Sequence, residues 1–522
     1  MGSNTTTKDI FREINDIETR FPVDQWQVNG FCIWPWVRIL LYKQFGKLLS
    51  ANSESTAPKK TFRDRAIDSL IYKIDKARRF LRYDLILKNK RKVNADAEII
   101  FYSSLDSRMS LRGKLYDQHC DPLIEHLHAI NVRSLVIEDT RKVSVDTLLR
   151  QNDSEVVSFD PIWHEFLKKN GPIENVFKTK EDLPQYDDFI AHLKRNLPQI
   201  ESAFFYKKSI REDIQRMLVM KECFLDILKK NQRSKACVII CYYHLSGMAL
   251  TLACKEAGIL AIDLQHGSQH HPAYNQWLKV PKNGYEMLPD VFWNWDKEDE
   301  DGINEWTEKT NGAHIAITVG YPWLQMWKDK DSDMAKWYND TLEKMIAPSK
   351  VKLLFSLGGT SSPIPEWILD TVNAGPDNWF WCFRPHPRQQ EHAPRFLKQF
   401  QSKCGNKKGT VQTTLDIPLP SMLQYIDIHI TGYSSVILEA EMFGVPSIAT
   451  EEEAIGIYPK QLQSGTMVIA KNQKELLNAI HTKISKKKQC KHPTQKNVLF
   501  GEFTKILHND LKTIKTINYN EK

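Results

Sequence analysis

Apolar and polar positions along this chain follow two periods in turn, and the changes between them mark out its elements. Residues 1–50 read as helical: 31–49 mixes aromatics with Arg38, Lys43 and Lys47, and Pro35 suits a helix start. A polar linker at 52–58 follows. Short apolar runs of strand length begin at residue 98, with 98–103 and 132–137 the first two. Helical periodicity covers 200–230. Residues 236–243, a helix over 246–257 closed by Gly258, and 259–264 make a strand–helix–strand unit, which 291–295 and 315–319 extend. Residues 323–350 are polar and helical and read as the bridge to a second such unit. Its strands are 352–357, 379–383, 426–430, 446–450 and 466–470, and its closing helices are 473–487 and 501–516. Apolar strands separated by helices imply parallel sheets covered on both faces. The expected fold is α/β: a helical extension over 1–92, a Rossmann-like domain over 93–335 and a second over 336–500. A cleft lies between the two domains, and a closing helix occupies 501–522.

Charge changes this picture at one place. The net charge is +8, yet residues 59–92 hold thirteen Lys/Arg against four Asp, which leaves 59 basic and 60 acidic residues elsewhere. In that segment Ile67, Leu70, Ile71, Ile74, Leu81 and Leu85 recur at helical spacing. Two readings stay open: a basic amphipathic helix on an anionic membrane surface, or a solvated helix packed by its apolar stripe. No nucleic acid is expected, because aromatics do not alternate with the charges as a stacking platform requires. No run of about eighteen uncharged apolar residues occurs and the amino end lacks an export leader. The expected location is cytoplasmic, peripheral on the inner face of the membrane where 59–92 meets lipid. The nine cysteines are scattered without a Cys-x-x-Cys and read as free thiols.

The chemistry gathers where strands end. Arg384-Pro385-His386-Pro387-Arg388 follows one apolar run, and Thr431-Gly432-Tyr433-Ser434-Ser435 follows another and opens a helix over 436–443. In an open parallel sheet these ends face the ligand crevice. Arg384 and His386 can give charge-assisted hydrogen bonds to a diphosphate, with Ser434 and Ser435 at the helix start. A serine there is also explained by capping alone. Glu439, one turn on, can accept from ribose or base hydroxyls. Gly359 and Thr360 offer backbone N–H groups to a phosphate. In the first half, Gln265-His266-Gly267-Ser268 ends a strand, so His266 is either a general base or a structural turn histidine. His270, His271 and Tyr274 follow as candidates for binding an anionic acceptor. No cysteine or carboxylate is fixed beside these histidines, so no metal and no cofactor is expected. The acidic runs at 299–301 and 329–333 read as solvated surface.

Arg384-Pro385-His386-Pro387, followed by Ser434-Ser435-x-x-x-Glu439-Ala440-x-x-x-Gly444-x-Pro446, resembles bacterial GT-B transferases of surface polysaccharide. Those families are the capsular polysialyltransferases, the capsule Kdo transferases and the CDP-glycerol glycerophosphotransferases of teichoic acid synthesis. The resemblance spans roughly residues 236–450, and 1–235 match none of them. It implies a GT-B fold in which His386, Ser434 and Ser435 contact the leaving phosphate. Gln265-His266-Gly267 is similar to the His-Gly element of the glycerophosphotransferases, where the histidine is the base. Those enzymes carry Trp-His-Gly-Thr where this chain has Gln265-His266-Gly267-Ser268, which favours a sugar donor. The implied activity is metal-independent transfer of a sugar from a nucleotide-activated donor, CMP-linked among the candidates. The acceptor would be a growing capsule- or lipopolysaccharide-type glycan, free or lipid-linked, held by the first domain. The alternatives are a nucleotide-sugar epimerase and a non-catalytic scaffold of glycan assembly.

Overall fold

The computed structural model describes residues 7–53, 96–104, 108–139, 155–171, 180–328, 333–346, 351–358, 364–406, 408–413 and 417–487. The basic segment 59–92, the helix expected at 501–516, and Gly359 and Thr360 lie outside the described residues.

Two parallel sheets organise the chain. The first has seven strands, ordered Ile315–Thr318, Val291–Asn294, Leu260–Leu264, Ala236–Ile240, Ile99–Ser104, Ser134–Asp139, Glu155–Ser158. The second has six, ordered Gly409–Val411, Trp379–Arg384, Val351–Ser356, Ile428–Thr431, Ser447–Ala449, Met467–Ile469. Counted in chain order, each sheet runs outward from its first strand in both directions. This is the doubly wound arrangement, and it makes the fold two Rossmann-like domains of GT-B type facing a cleft. Strands such as Ala236–Ile240 are buried along their whole length, which explains why they read as unbroken apolar runs.

The switch of winding direction falls between Ile99–Ser104 and Ala236–Ile240 in the first sheet. In the second it falls between Val351–Ser356 and Ile428–Thr431. At that second point Thr431 Oγ1 donates to Ser356 O at 2.8 Å, and His429 sits buried between Ser447 Oγ (3.0 Å) and Ser356 Oγ (3.1 Å). Burial pushes the His429 pKa down to about 3, so it is a neutral packing group.

The amino-terminal region departs from the all-helical expectation. Helices Thr7–Arg20 and Trp34–Ser53 are present, but Gln27–Val28 and Phe31–Cys32 pair as a hairpin that Glu181–Asp182 joins. The turn is Asn29-Gly30, with φ of 52° and 84°, and Asn-Gly at left-handed φ is the strong signal for a two-residue hairpin. A second hairpin pairs Arg108–Leu111 with Lys114–Asp117. Two edge strands, Glu155–Ser158 and Gly409–Val411, were not expected either, being short and little marked by apolar pattern.

Helices Pro322–Gln325 and Asp333–Met345 lie between the sheets in the chain. Their Trp323, Leu324, Tyr338 and Leu342, with Trp327 between them, pack in one core with Trp295 and Tyr321 of the first domain and Leu354, Cys382 and Met422 of the second. Eight cysteines among the described residues are free thiols. No described helix is long and apolar enough to cross a membrane.

Candidate functional site

The strand ends singled out in the two halves meet. A Cβ on Gly267 would lie 3.8 Å from Ser435 Cβ, so the turn after Leu260–Leu264 abuts the turn after Ile428–Thr431. Lys460 Nζ reaches Glu298 across the same boundary at 2.6 Å.

On the first-domain side Gln265 fixes the turn. Its buried amide accepts from Trp295 N–H at 2.5 Å and donates to Gly267 O (3.0 Å) and to Asp299 (2.5 Å). Asp299 is therefore not the solvated residue expected. Asp296 caps the helix Lys297–Thr307, which turns Asp299 inward, and burial together with Asp296 raises its pKa to about 7. His266 follows, half-buried, with Nε2 3.3 Å from the Tyr243 hydroxyl. Burial, then the nearby His119, draws its pKa down to about 4, against the opposing pull of the Leu264 carbonyl. The imidazole is neutral and can accept a proton.

His119 was not singled out in the sequence. It is buried just ahead of the helix Asp121–Ala129. Its ring stacks on Tyr321 at 5.8 Å, and Tyr321 stacks on Trp295 at 4.2 Å. His119 Nδ1 is buried without a hydrogen-bond partner among the described residues. Tyr321 in turn lies within electrostatic reach of Glu439.

On the second-domain side Glu439 is buried, which raises its pKa to about 7 while Arg384 pulls the other way. Arg384 is held at the end of its strand by Nη1, which donates to Gln412 Oε1 (2.7 Å) and Ile417 O (2.8 Å). All of its hydrogen bonds run through Nη1, so Nε and Nη2 have no partner among the described residues. Burial lowers its pKa to about 10, with Glu439 opposing, and the group stays charged at neutral pH. His386 is half-buried at the start of the tight turn Pro387–His392, its backbone N–H 3.4 Å from Gln389 Oε1. Ser434 Oγ accepts from Val436 N–H at 3.4 Å, whereas Ser435 makes no capping bond to the seven-residue helix Val436–Met442. A side chain at Gly432 would meet the Glu451 carboxylate, which would have to move aside. Burial and Glu453 raise the Glu451 pKa to about 7.

Three further candidates take different places. Tyr274 is a core residue whose hydroxyl donates to Asp263 at 2.9 Å. His271 is buried, stacks on Tyr42 at 4.7 Å and accepts from Ala273 N–H. Neither ring offers a free face to an acceptor in this conformation. His270 faces a crevice against the edge of Phe11, at 5.6 Å. His119, Tyr243, Tyr321, Asp299 and Glu451 are the residues that sequence reasoning passed over. For Tyr243, Tyr321 and Glu451 the one usable signal was their place at the end of an apolar run; His119 had none. Among the described residues no three His, Cys, Asp or Glu side chains are grouped to hold a metal.

No family model matches the chain, and no curated protein matches it in sequence. Solved structures match it over most of its length at low identity. UDP-GlcNAc 2-epimerase of Neisseria meningitidis, bound to UDP-GlcNAc, is 11% identical over 79% of this chain and 100% of its own, with a TM-score of 0.47. UDP-GlcNAc 2-epimerase of Methanocaldococcus jannaschii, with UDP-GlcNAc and UDP, is 13% identical over 78% and 99%, at 0.46. The wall teichoic acid polymerase TagF is 13% identical over 84% and 98%, at 0.45. At these values the likeness adds nothing to what the two sheets themselves establish.

Proposed function

We propose that the protein is a glycosyltransferase that moves a sugar from a nucleotide-activated donor to a bacterial surface glycan. One observation carries the reading. A series of groups leads from the second domain to the first: Arg384, Glu439 and Tyr321 lie within electrostatic reach of one another in turn, Tyr321 stacks on His119, and His119 lies within electrostatic reach of His266. One end offers a guanidinium with open donors, and the other a neutral imidazole.

In this reading the second domain holds the donor. Arg384, through Nε and Nη2, and His386 hydrogen-bond the leaving phosphate, with Ser434 and Ser435 beside them. Glu439 receives a ribose or base hydroxyl. The bond from the sugar's anomeric carbon to the phosphate oxygen breaks, and a bond forms from that carbon to the acceptor oxygen. The acceptor's proton passes to His266. An imidazole with a pKa near 4 is a weak base, but the negative charge of a donor phosphate beside it raises that value toward the useful range. Stabilising charge on the departing phosphate is the larger contribution, and removing one such donor costs about 10²–10³ in rate. The acceptor lies against the first domain near His270, and a lipid-linked acceptor brings the enzyme to the inner face of the membrane, where the basic segment 59–92 meets anionic lipid.

The test begins with thermal-shift measurements against CMP, UDP and GDP, since a ligand that binds only the native state raises its melting temperature. The matching nucleotide sugar is then supplied with and without glycan acceptor. Acceptor-dependent transfer that falls about 100-fold in His386→Ala is expected. Turnover of donor with no acceptor present would replace the reading by an epimerase, and the absence of nucleotide binding would replace it by a scaffold.

A further inference from the structure

Beside the cleft a crevice of about 310 Å³ opens between three parts of the chain. Phe11 and Asn15 come from the first helix, His270 and Gln276 from the loop after the catalytic turn, and Ile455 and Pro459 from the second domain. Its size is at the low end of the range for small-molecule sites, about 300–1,000 Å³.

The loop is built to keep its shape. Arg38, fully buried and ion-paired with Glu18, donates to Pro272 O (2.8 Å), Asn275 O (2.8 Å) and Gln276 O (3.1 Å). Glu18 also accepts from Leu278 N–H at 2.7 Å. These bonds hold Gln276 at φ 58°, a left-handed conformation that costs a non-glycine residue energy and tends to persist at functional positions.

The lining has a definite chemistry. Asn15 Nδ2 donates to Gln276 Oε1 at 3.3 Å, while Asn15 Oδ1 is buried without a partner. Gln276 Nε2 also has none among the described residues. Gln276 Nε2 is therefore a donor left for a sugar hydroxyl, and Asn15 positions the Gln276 amide that carries it. Phe11, Ile455 and Pro459 supply an apolar wall, with Ile455 notably exposed. The rim carries no excess positive charge, since one guanidinium, Arg12, faces two carboxylates. Arg12 at the rim is bound by Asp9 (3.0 Å) and Glu13 (3.3 Å), and burial lowers the His270 pKa, with Glu298 and Glu305 opposing.

We propose that this crevice is a subsite for an uncharged sugar ring, with a hydroxyl on the Gln276 amide that Asn15 holds in place and its apolar face on Ile455 and Pro459. Its role as part of the acceptor site rests on the transferase reading; its ability to bind sugar does not. Because both domains form its walls, an occupied crevice also holds them together.

The experiment presents the full chain to immobilised neutral hexose and N-acetylhexosamine oligosaccharides, with a sialylated set alongside. Wild type should bind neutral oligosaccharides. Asn15→Ala and Gln276→Gly should each weaken binding about tenfold, the scale of one or two lost hydrogen bonds. Gln276→Gly relieves the left-handed backbone, so its melting temperature should hold or rise. The proposal is overturned if wild type binds no neutral oligosaccharide, prefers the acidic set, or is matched in affinity by both variants. Glycan binding without nucleotide-dependent transfer would leave the subsite standing and remove the transferase. Transfer whose acceptor KM is unmoved by either variant would do the reverse.

Discussion

Two buried arginines, one in each half, teach how this molecule divides its work. Arg38 spends its donors inside the protein, on Glu18 and three backbone carbonyls. Arg384 uses Nη1 alone and keeps two nitrogens open beside the buried Glu439. A saturated buried ion pair contributes shape, and breaking it leaves an uncompensated charge. A half-used guanidinium at a strand end is the feature on which the proposed phosphate contact rests.

That contrast is broken most directly by removing each arginine. Arg38→Met should cost about 3–5 kcal/mol of stability in urea denaturation, because Glu18 stays buried with no partner. A loss below about 1 kcal/mol would mean the pair is not a frame for the loop. Arg384→Met should leave the far-UV spectrum native and lower transfer about 10²–10³-fold. Equal rates would mean that its open nitrogens face no phosphate.

Glu439 sharpens the comparison through pH. Its folded pKa, about 7, stands above the ordinary 4.5. A raised carboxyl contributes stability that is fully present below about 4.5 and is lost as pH rises through about 7. Glu439→Gln should therefore gain stability relative to wild type between pH 5 and pH 8, on the order of 2 kcal/mol. A pH-independent difference would show that the carboxyl is not desolvated. The smallest effect is expected at His119. His119→Phe keeps a ring against Tyr321 and removes both nitrogens, and should lower kcat roughly tenfold with the melting temperature maintained. An unchanged kcat would assign His119 to packing.

The strands were legible because a strand buried on both faces must be apolar throughout. Ala236–Ile240 and Trp379–Arg384 therefore declared themselves. Glu155–Ser158 and Gly409–Val411 did not, since edge strands are short and keep polar residues. The Asn29-Gly30 hairpin carried a readable signal but lay inside a stretch whose average periodicity is helical. Of the candidate site, Arg384, His386, Ser434 and His266 were marked in the sequence by their place at strand ends. His119 and Tyr321 were not, because residues 202 positions apart show no relation in sequence until the fold stacks the two rings.

The sequence alone determined where strands stop and which side chains stand at their ends, since period and turn chemistry are local. Only the tertiary structure decided which of those side chains keep open valences. Tyr274 and His271 look as available in sequence as His270, yet Asp263 and Tyr42 claim them. Partners of that kind come from distant segments, and burial, which sets both the cost of a free polar group and its pKa, belongs to the packed molecule and to no stretch of the chain.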